Sequence, residues 1–192
     1  MLRIARTALI AAAMLGLAAC TSSRMAAISE PPAITAPQPD KSTVVFYRSS
    51  GLGAAVQSSV FDITSDPPAF VGIISAGMKV AYMASPGERR FMVIGEAADF
   101  MDAQLLPGKT YYALVAPRMG FWKARFSLRP RAADNKEAQE QLATCKWYDN
   151  TPASQQWAQK HLQEIIALQK EYLPEWLAKG EDRPVLHADE GR

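Results

Sequence analysis

Between Thr43 and Pro130, short apolar runs alternate with glycine- and proline-marked breaks. Seven runs carry the composition or period-two pattern of strands: Thr43–Arg48, Ser58–Thr64, Phe70–Ile74, Lys79–Ala84, Arg89–Ile94, Thr110–Ala116 and Phe121–Leu128. The last alternates most cleanly. Trp122, Ala124, Phe126 and Leu128 share one face, while Lys123, Arg125 and Ser127 share the other, which Arg129 continues. One apolar side at period two is the mark of a half-buried antiparallel strand. Strands and turns at this spacing predict a mainly β fold, a small antiparallel β-sandwich of about 7–8 strands. Two of the strands follow a Pro-Gly pair, Pro86-Gly87 and Pro107-Gly108. Each pair suits a type II turn, with proline presetting φ at the first central position and glycine accepting positive φ at the second.

After Pro130 the period changes from two to that of a helix. Ala138, Leu142 and Cys145 recur on one face of a first helix, for which Asp134 offers a cap. Thr151 and Pro152 make a stronger start signal, a capping hydroxyl followed by proline at the first helical position. From there Trp157, His161, Ile165, Leu168 and Tyr172 form a wide stripe suited to docking on a sheet, and Pro174 is expected to break or kink the helix. The pattern thus predicts two C-terminal helices packed on the β domain.

The N-terminus follows a different rule. Arg3 and Arg6 precede an apolar segment, Ala8–Leu17, that is too short to span a bilayer. The segment ends in Leu17-Ala18-Ala19-Cys20, which resembles the lipobox of bacterial lipoproteins. That resemblance implies cleavage before Cys20 and a lipid on its thiol. Thr21 follows, not the Asp that often retains such proteins at the inner membrane, which implies the outer membrane. The resulting plan has a signal peptide at 1–19 and a lipidated Pro/Ala-rich tether at 20–41. A β domain at 42–130, a helical extension at 131–179 and a disordered tail at 180–192 complete it.

Charge and cysteine content narrow the function classes. The chain has 192 residues with 21 basic and 19 acidic side chains, and loss of Arg3 and Arg6 would leave it near neutral. Nucleic-acid binding gains no support from that balance. The two cysteines are Cys20 and Cys145. Acylation of Cys20 would leave Cys145 as a possible free thiol on an apolar helix face, so stability must come from packing.

Within residues 42–129, Val44-Val45-Phe46-Tyr47-Arg48, Phe70-Val71-Gly72-Ile73-Ile74 with Gly77, Pro86-Gly87, and Gly108-Lys109-Thr110-Tyr111-Tyr112 follow one another in order. This series resembles the bacterial domain of unknown function 2846. The resemblance implies a small exported β-sandwich carried on lipoproteins, and it supplies no catalytic residues. Ser65-Asp66-Pro67-Pro68 departs from it where a tighter turn is expected, and the helical end lies outside it.

Candidate chemistry is sparse. A thiol enzyme would pair Cys145 with His161 and orient the base through Asp149. A metal centre needs three or four convergent ligands, and His161 and His187 are the two histidines, so no metal or other cofactor is expected. Asp99 and Asp102 fit a solvated loop better than a catalytic pair. Gly51 and Gly53 lack the lysine and hydroxyl of a phosphate loop. Tyr111, Tyr112, Phe121, Trp122 and Trp157 suggest an aromatic cluster that belongs to the core. The surface feature with a partner in view is the basic row Lys123, Arg125, Arg129 and Arg131, which would meet an anionic lipid head group or envelope polymer. The sequence therefore favours a non-catalytic binding or scaffolding module, held at the membrane by its lipid, whose partner is an envelope protein or anionic polymer. An envelope thiol enzyme using Cys145, or a small-ligand carrier with a pocket between helix and sheet, are the alternatives.

Overall fold

The computed structural model describes residues 24–49, 56–118 and 125–192. In chain order the strands are β1 (Met25–Ile28), β2 (Ser42–Arg48), β3 (Ser58–Asp62), β4 (Ala69–Ile74), β5 (Met78–Ala84), β6 (Gly87–Ile94), β7 (Ala98–Leu105), β8 (Thr110–Arg118) and β9 (Arg125–Arg131). Then follow α1 (Lys136–Thr144), β10 (Lys146–Asn150), α2 (Pro152–Lys160), α3 (Leu162–Leu177) and β11 (Val185–Leu186). The first sheet has the order β1-β10-β5-β2-β8-β9 and the second β11-β7-β6-β3-β4.

The fold is mainly β with C-terminal helices, but its details differ from the expectation of an antiparallel sheet pair with about 7–8 strands and two helices. The described residues form eleven strands and three α-helices. Both sheets are mixed: β2 runs parallel to β8, β10 to β5, and β11 to β7. Period-two alternation reports which face a residue takes and carries no information on strand direction.

The segments expected as tether and tail are built into the sheets. Met25–Ile28 pairs antiparallel with β10 along its whole length. A short 3-10 turn, Ala33–Thr35, follows, and the Thr43 hydroxyl donates to the Ile34 carbonyl. At the other end β11 extends β7. The backbone of Arg192 exchanges both hydrogen bonds with Thr110, at 2.8 and 3.2 Å. Paired backbone of this kind satisfies donors and acceptors that a loose tail would leave to water.

Packing follows from the alternation. Val44, Phe46, Val80, Tyr111, Val115 and Leu128 point inward from the first sheet to meet Val60, Ile73, Phe91, Val93 and Met101 of the second. Phe46 and Phe91 meet edge to face at 5.1 Å. Burying each such side chain contributes roughly 1.5–3 kcal/mol. The outer face of each sheet is covered in turn. Val45, Tyr47, Tyr112 and Leu114 receive Ala138, Leu142 and Cys145 from α1 and its end. Phe61, Met92, Ile94 and Phe100 receive Ala158, Ile165 and Trp176 from α2 and α3.

Helix starts follow the capping chemistry. Thr151 and Ser154 form a reciprocal capping box, with Pro152 at the first turn of α2. In α1 the cap is Asn135 rather than Asp134; its side chain accepts from the Ala138 amide at 2.8 Å. The long helix expected from Thr151 divides at His161 and continues through Pro174 to Leu177. Beyond that proline, Trp176 is held against Phe100 at 5.6 Å, an anchor that keeps the last turn in place. Both turn glycines adopt positive φ, Gly87 at 107° and Gly108 at 75°, as the Pro-Gly pairs require.

Candidate functional site: a cationic face on the first sheet

The sequence-predicted residues scatter across the layers. Cys20 and Lys123 lie outside the described residues, as do Gly51, Gly53, Phe121 and Trp122. Tyr111 faces the shared core, Tyr112 the outer face of the first sheet, and Trp157 the outer face of the second, so the expected aromatic cluster is divided among three layers.

Cys145 packs under α1 among Val45, Tyr47 and Leu142. Burial pushes its thiol pKa up, against weaker opposing effects from Thr144 and Lys79. A higher pKa means less thiolate at neutral pH, the reverse of what a nucleophile needs. His161 lies on the other side of the molecule, stacked on Trp157 at 5.0 Å, with Nδ1 2.8 Å from the Trp157 carbonyl. That contact places the proton on Nδ1 and fixes the tautomer. Cys145 and His161 therefore belong to separate clusters, and the thiol–imidazole pair that the alternative reading requires is not assembled.

Asp99 and Asp102 sit on strand β7 rather than in a loop. Asp99 is buried and bridges Arg118 at 3.3 Å and Lys179 at 3.5 Å. Asp102 takes Arg90 at 2.6 Å and Arg183 at 3.2 Å. Both guanidinium groups of that pair stack on Trp176, each 5.1 Å from the ring centre. Ion pairing is what lets two carboxylates sit in a strand. Among the described residues no group of three or more His, Cys, Asp or Glu side chains is placed to hold a metal ion.

The basic row lies on the outer face of the first sheet. Arg125 and Arg129 are exposed on β9, and among the described residues neither forms an ion pair. Ser127, between them, is buried. Arg131 is half-buried and bonds the Pro130 carbonyl at 3.0 Å. Its charge also lowers the Tyr47 hydroxyl pKa, against the larger raising effect of burial.

Register connects this row to a groove that sequence reasoning missed. Arg131 lies opposite Tyr112, Tyr112 opposite Val45, and Val45 opposite Ala81. The face continues through Lys79, which pairs with Trp147 on β10. Above this floor sit Leu142 and Ala143 of α1 and the stretch from Pro31 to Pro37, enclosing about 520 Å³. Two cations border it. The Lys79 ammonium sits 4.8 Å from the Trp147 ring centre and donates to the Leu142 carbonyl at 2.8 Å. Burial pulls its pKa down. The Arg192 guanidinium sits 5.3 Å from the Tyr112 ring centre. No Asp or Glu side chain lines the groove among the described residues. No sequence signal marked it, because Lys79 reads as an ordinary strand residue and Arg192 as tail.

Two other hollows differ in charge. One of about 220 Å³ between α2–α3 and the second sheet combines Arg24 and His161 with Glu164. Another of about 600 Å³ is bordered by Arg89, Arg90 and Arg183, the last two paired with Asp102, and by Glu88. Of these three hollows, the groove on the first sheet is the one of single charge sign. No family model matches the chain, and no curated protein gives a significant match.

Proposed function

We propose that the chain is an envelope lipoprotein, anchored to the outer membrane through a lipid on Cys20, that acts as a non-catalytic module binding an anionic envelope component. The observation that carries the binding assignment is the exposed row Arg125 and Arg129, which has no ion pair among the described residues and continues through Arg131 to Tyr112. Exposed cations of one sign attract polyanions and anionic head groups and steer their approach. The anchoring assignment rests on Leu17-Ala18-Ala19-Cys20 and the basic and apolar segments before it. Two acyl chains suffice for stable attachment at about 0.8 kcal/mol per buried methylene. Two covered sheets around one core fit a sandwich of the kind the resemblance to the domain of unknown function 2846 implies. The partner is an anionic polymer, a lipid surface or an acidic envelope protein.

Two measurements test the two halves separately. Cys20→Ala is expected to move the protein from the membrane to the soluble fraction; wild-type fractionation would remove the anchor from the proposal. Joint reversal of Lys123, Arg125 and Arg129 to Glu is expected to abolish retention on anionic liposomes and isolated envelope polymers. Unchanged retention would end the proposal that this row is the binding surface.

A further inference from the structure

The basic row explains attraction to a charged surface, but it leaves unused the groove beside it. That groove has a floor of Val45, Tyr112 and Trp147, a wall of Leu142, and cations at Lys79 and Arg192. Lys79 on β5 and the Tyr112 beneath Arg192 on β8 are separated by β2. Neighbouring strands lie about 4.8 Å apart, so the strand of Lys79 and that of Tyr112, whose ring lies under Arg192, are about 10 Å apart across an apolar floor. Each cation is held in place: Lys79 by the Leu142 carbonyl, and Arg192 by its backbone pairing with Thr110. Lys109 adds to the second restraint, donating to the Gly191 carbonyl at 3.1 Å.

We propose that this groove is a binding site for a small single-chain organic anion, with its apolar body on the Val45, Tyr112 and Trp147 floor and its charged head against Lys79 or Arg192. Charge complementarity argues for this ligand class. The Lys79 ammonium, the Arg192 guanidinium and the lack of a lining side-chain carboxylate disfavour a cationic ligand, while the aromatic floor disfavours a small hydrated ion with no apolar part. The enclosed space, about 520 Å³, lies in the usual range of about 300–1,000 Å³ for small-molecule sites. The ammonium keeps its ring and carbonyl contacts and has hydrogen-bonding capacity left over, since an ammonium carries three donors. A carboxylate or phosphate head would use that capacity at little reorganisation cost. The groove shares the sheet face of the proposed function but uses different residues, so the two can fail independently.

The experiment is calorimetric titration of the full chain carrying Cys20→Ala, so that no acyl chain of its own competes. Octanoate and octyl phosphate are the anionic probes, with octanol and octylammonium as comparisons at equal chain length. Saturable one-to-one binding of an anionic probe is expected, at least tenfold tighter than octanol, with octylammonium weaker still. Preference between octanoate and octyl phosphate identifies the head group as carboxylate or phosphate. The indole N–H resonance of Trp147 should shift on binding. Lys79→Gln should weaken binding at least tenfold. Ala143→Trp, on the exposed rim, should block it without removing a core contact, which covers the case in which Lys79→Gln disturbs α1. Arg125→Glu with Arg129→Glu should leave it within a factor of about three. Equal binding of octylammonium, or anionic binding untouched by both groove variants, would overturn the proposal, whatever the basic row does on liposomes.

Discussion

On the second sheet, α2 and α3 lie across Phe61, Met92 and Phe100. Arg89, Arg90, Arg118, Lys179 and Arg183, on its strands and at its edges, each have a carboxylate of Asp62, Asp99 or Asp102 within 3.7 Å. On the first sheet the single short helix α1 covers part of the face, Lys79 and Arg192 sit against rings and a carbonyl, and Arg129 is exposed without an ion pair among the described residues. The same layering therefore has two outcomes. One region is helix-covered and its cations are tied to carboxylates. The other is partly open, and Lys79, Arg129 and Arg192 form no ion pair there among the described residues.

The largest expected effect comes from three tyrosines of the first sheet, Tyr47 under α1 and Tyr82 and Tyr111 on the side of the shared core. Burial raises the hydroxyl pKa values of Tyr47, Tyr82 and Tyr111, and for Tyr82 the neighbouring Asp62 carboxylate, 3.2 Å away, adds to it. An unfolded tyrosine loses its proton near pH 10 while these folded ones still hold theirs, so the unfolded state binds fewer protons as pH rises. Their contribution is complete below about pH 10 and is lost as pH climbs toward the raised folded values. Urea midpoints should be level from pH 7 to about 9 and fall steeply above 10. A midpoint that stays level to pH 11 would contradict the burial of these hydroxyls.

Next in size comes the lock on the closed face. Trp176 is 2% exposed, faces Phe100 and lies between Arg90 and Arg183. Trp176→Ala should cost about 3–5 kcal/mol, the usual range for emptying a large buried aromatic site. The half-buried Trp147 on the open face should cost clearly less, because part of its surface is already in water. Chemical denaturation of the two variants measures the difference directly. Equal losses would mean that the open groove is as tightly closed as the helix-covered side.

Asp102→Asn isolates the charge balance itself. It leaves Arg90 and Arg183 facing each other with no carboxylate between them. These groups are partly exposed, so solvent screening limits the loss to about 1–2 kcal/mol. The loss should grow at low salt and shrink at high salt. A salt-independent change would point to lost packing around Trp176 rather than to charge.

The sequence disclosed these regions unequally, for physical reasons. Strands β2, β3, β4 and β8 are rich in Val, Ile, Phe and Tyr, and the start of α2 carries its cap in Thr151 and Pro152, so all are readable locally. β7 hid because Asp99 and Asp102 look like loop residues until Arg118, Lys179, Arg90 and Arg183 arrive from distant segments to pair with them. β1, β10 and β11 are short, and each becomes a strand through a partner far along the chain. The basic row was visible because alternation alone places Arg125 and Arg129 on one face. The groove was not, since its two cations come from a mid-chain strand and the last residue and meet through sheet register.

The smallest expected effect is the most discriminating for the open face. Arg125→Gln with Arg129→Gln removes two charges that form no ion pair among the described residues. Surface substitutions of this kind usually stay within about 0.5 kcal/mol of the parent. Loss of mutual repulsion along β9 should place the pair at or slightly above parental stability. The same double change at Arg90 and Arg183 should be destabilising because it strands Asp102 and removes both cations packed on Trp176. Opposite signs in the two double variants would show that the second sheet's charges hold the fold while the first sheet's charges are kept for a partner. If both pairs destabilise, Arg125 and Arg129 belong to the scaffold, and the anionic partner must be sought at Lys79 and Arg192 alone.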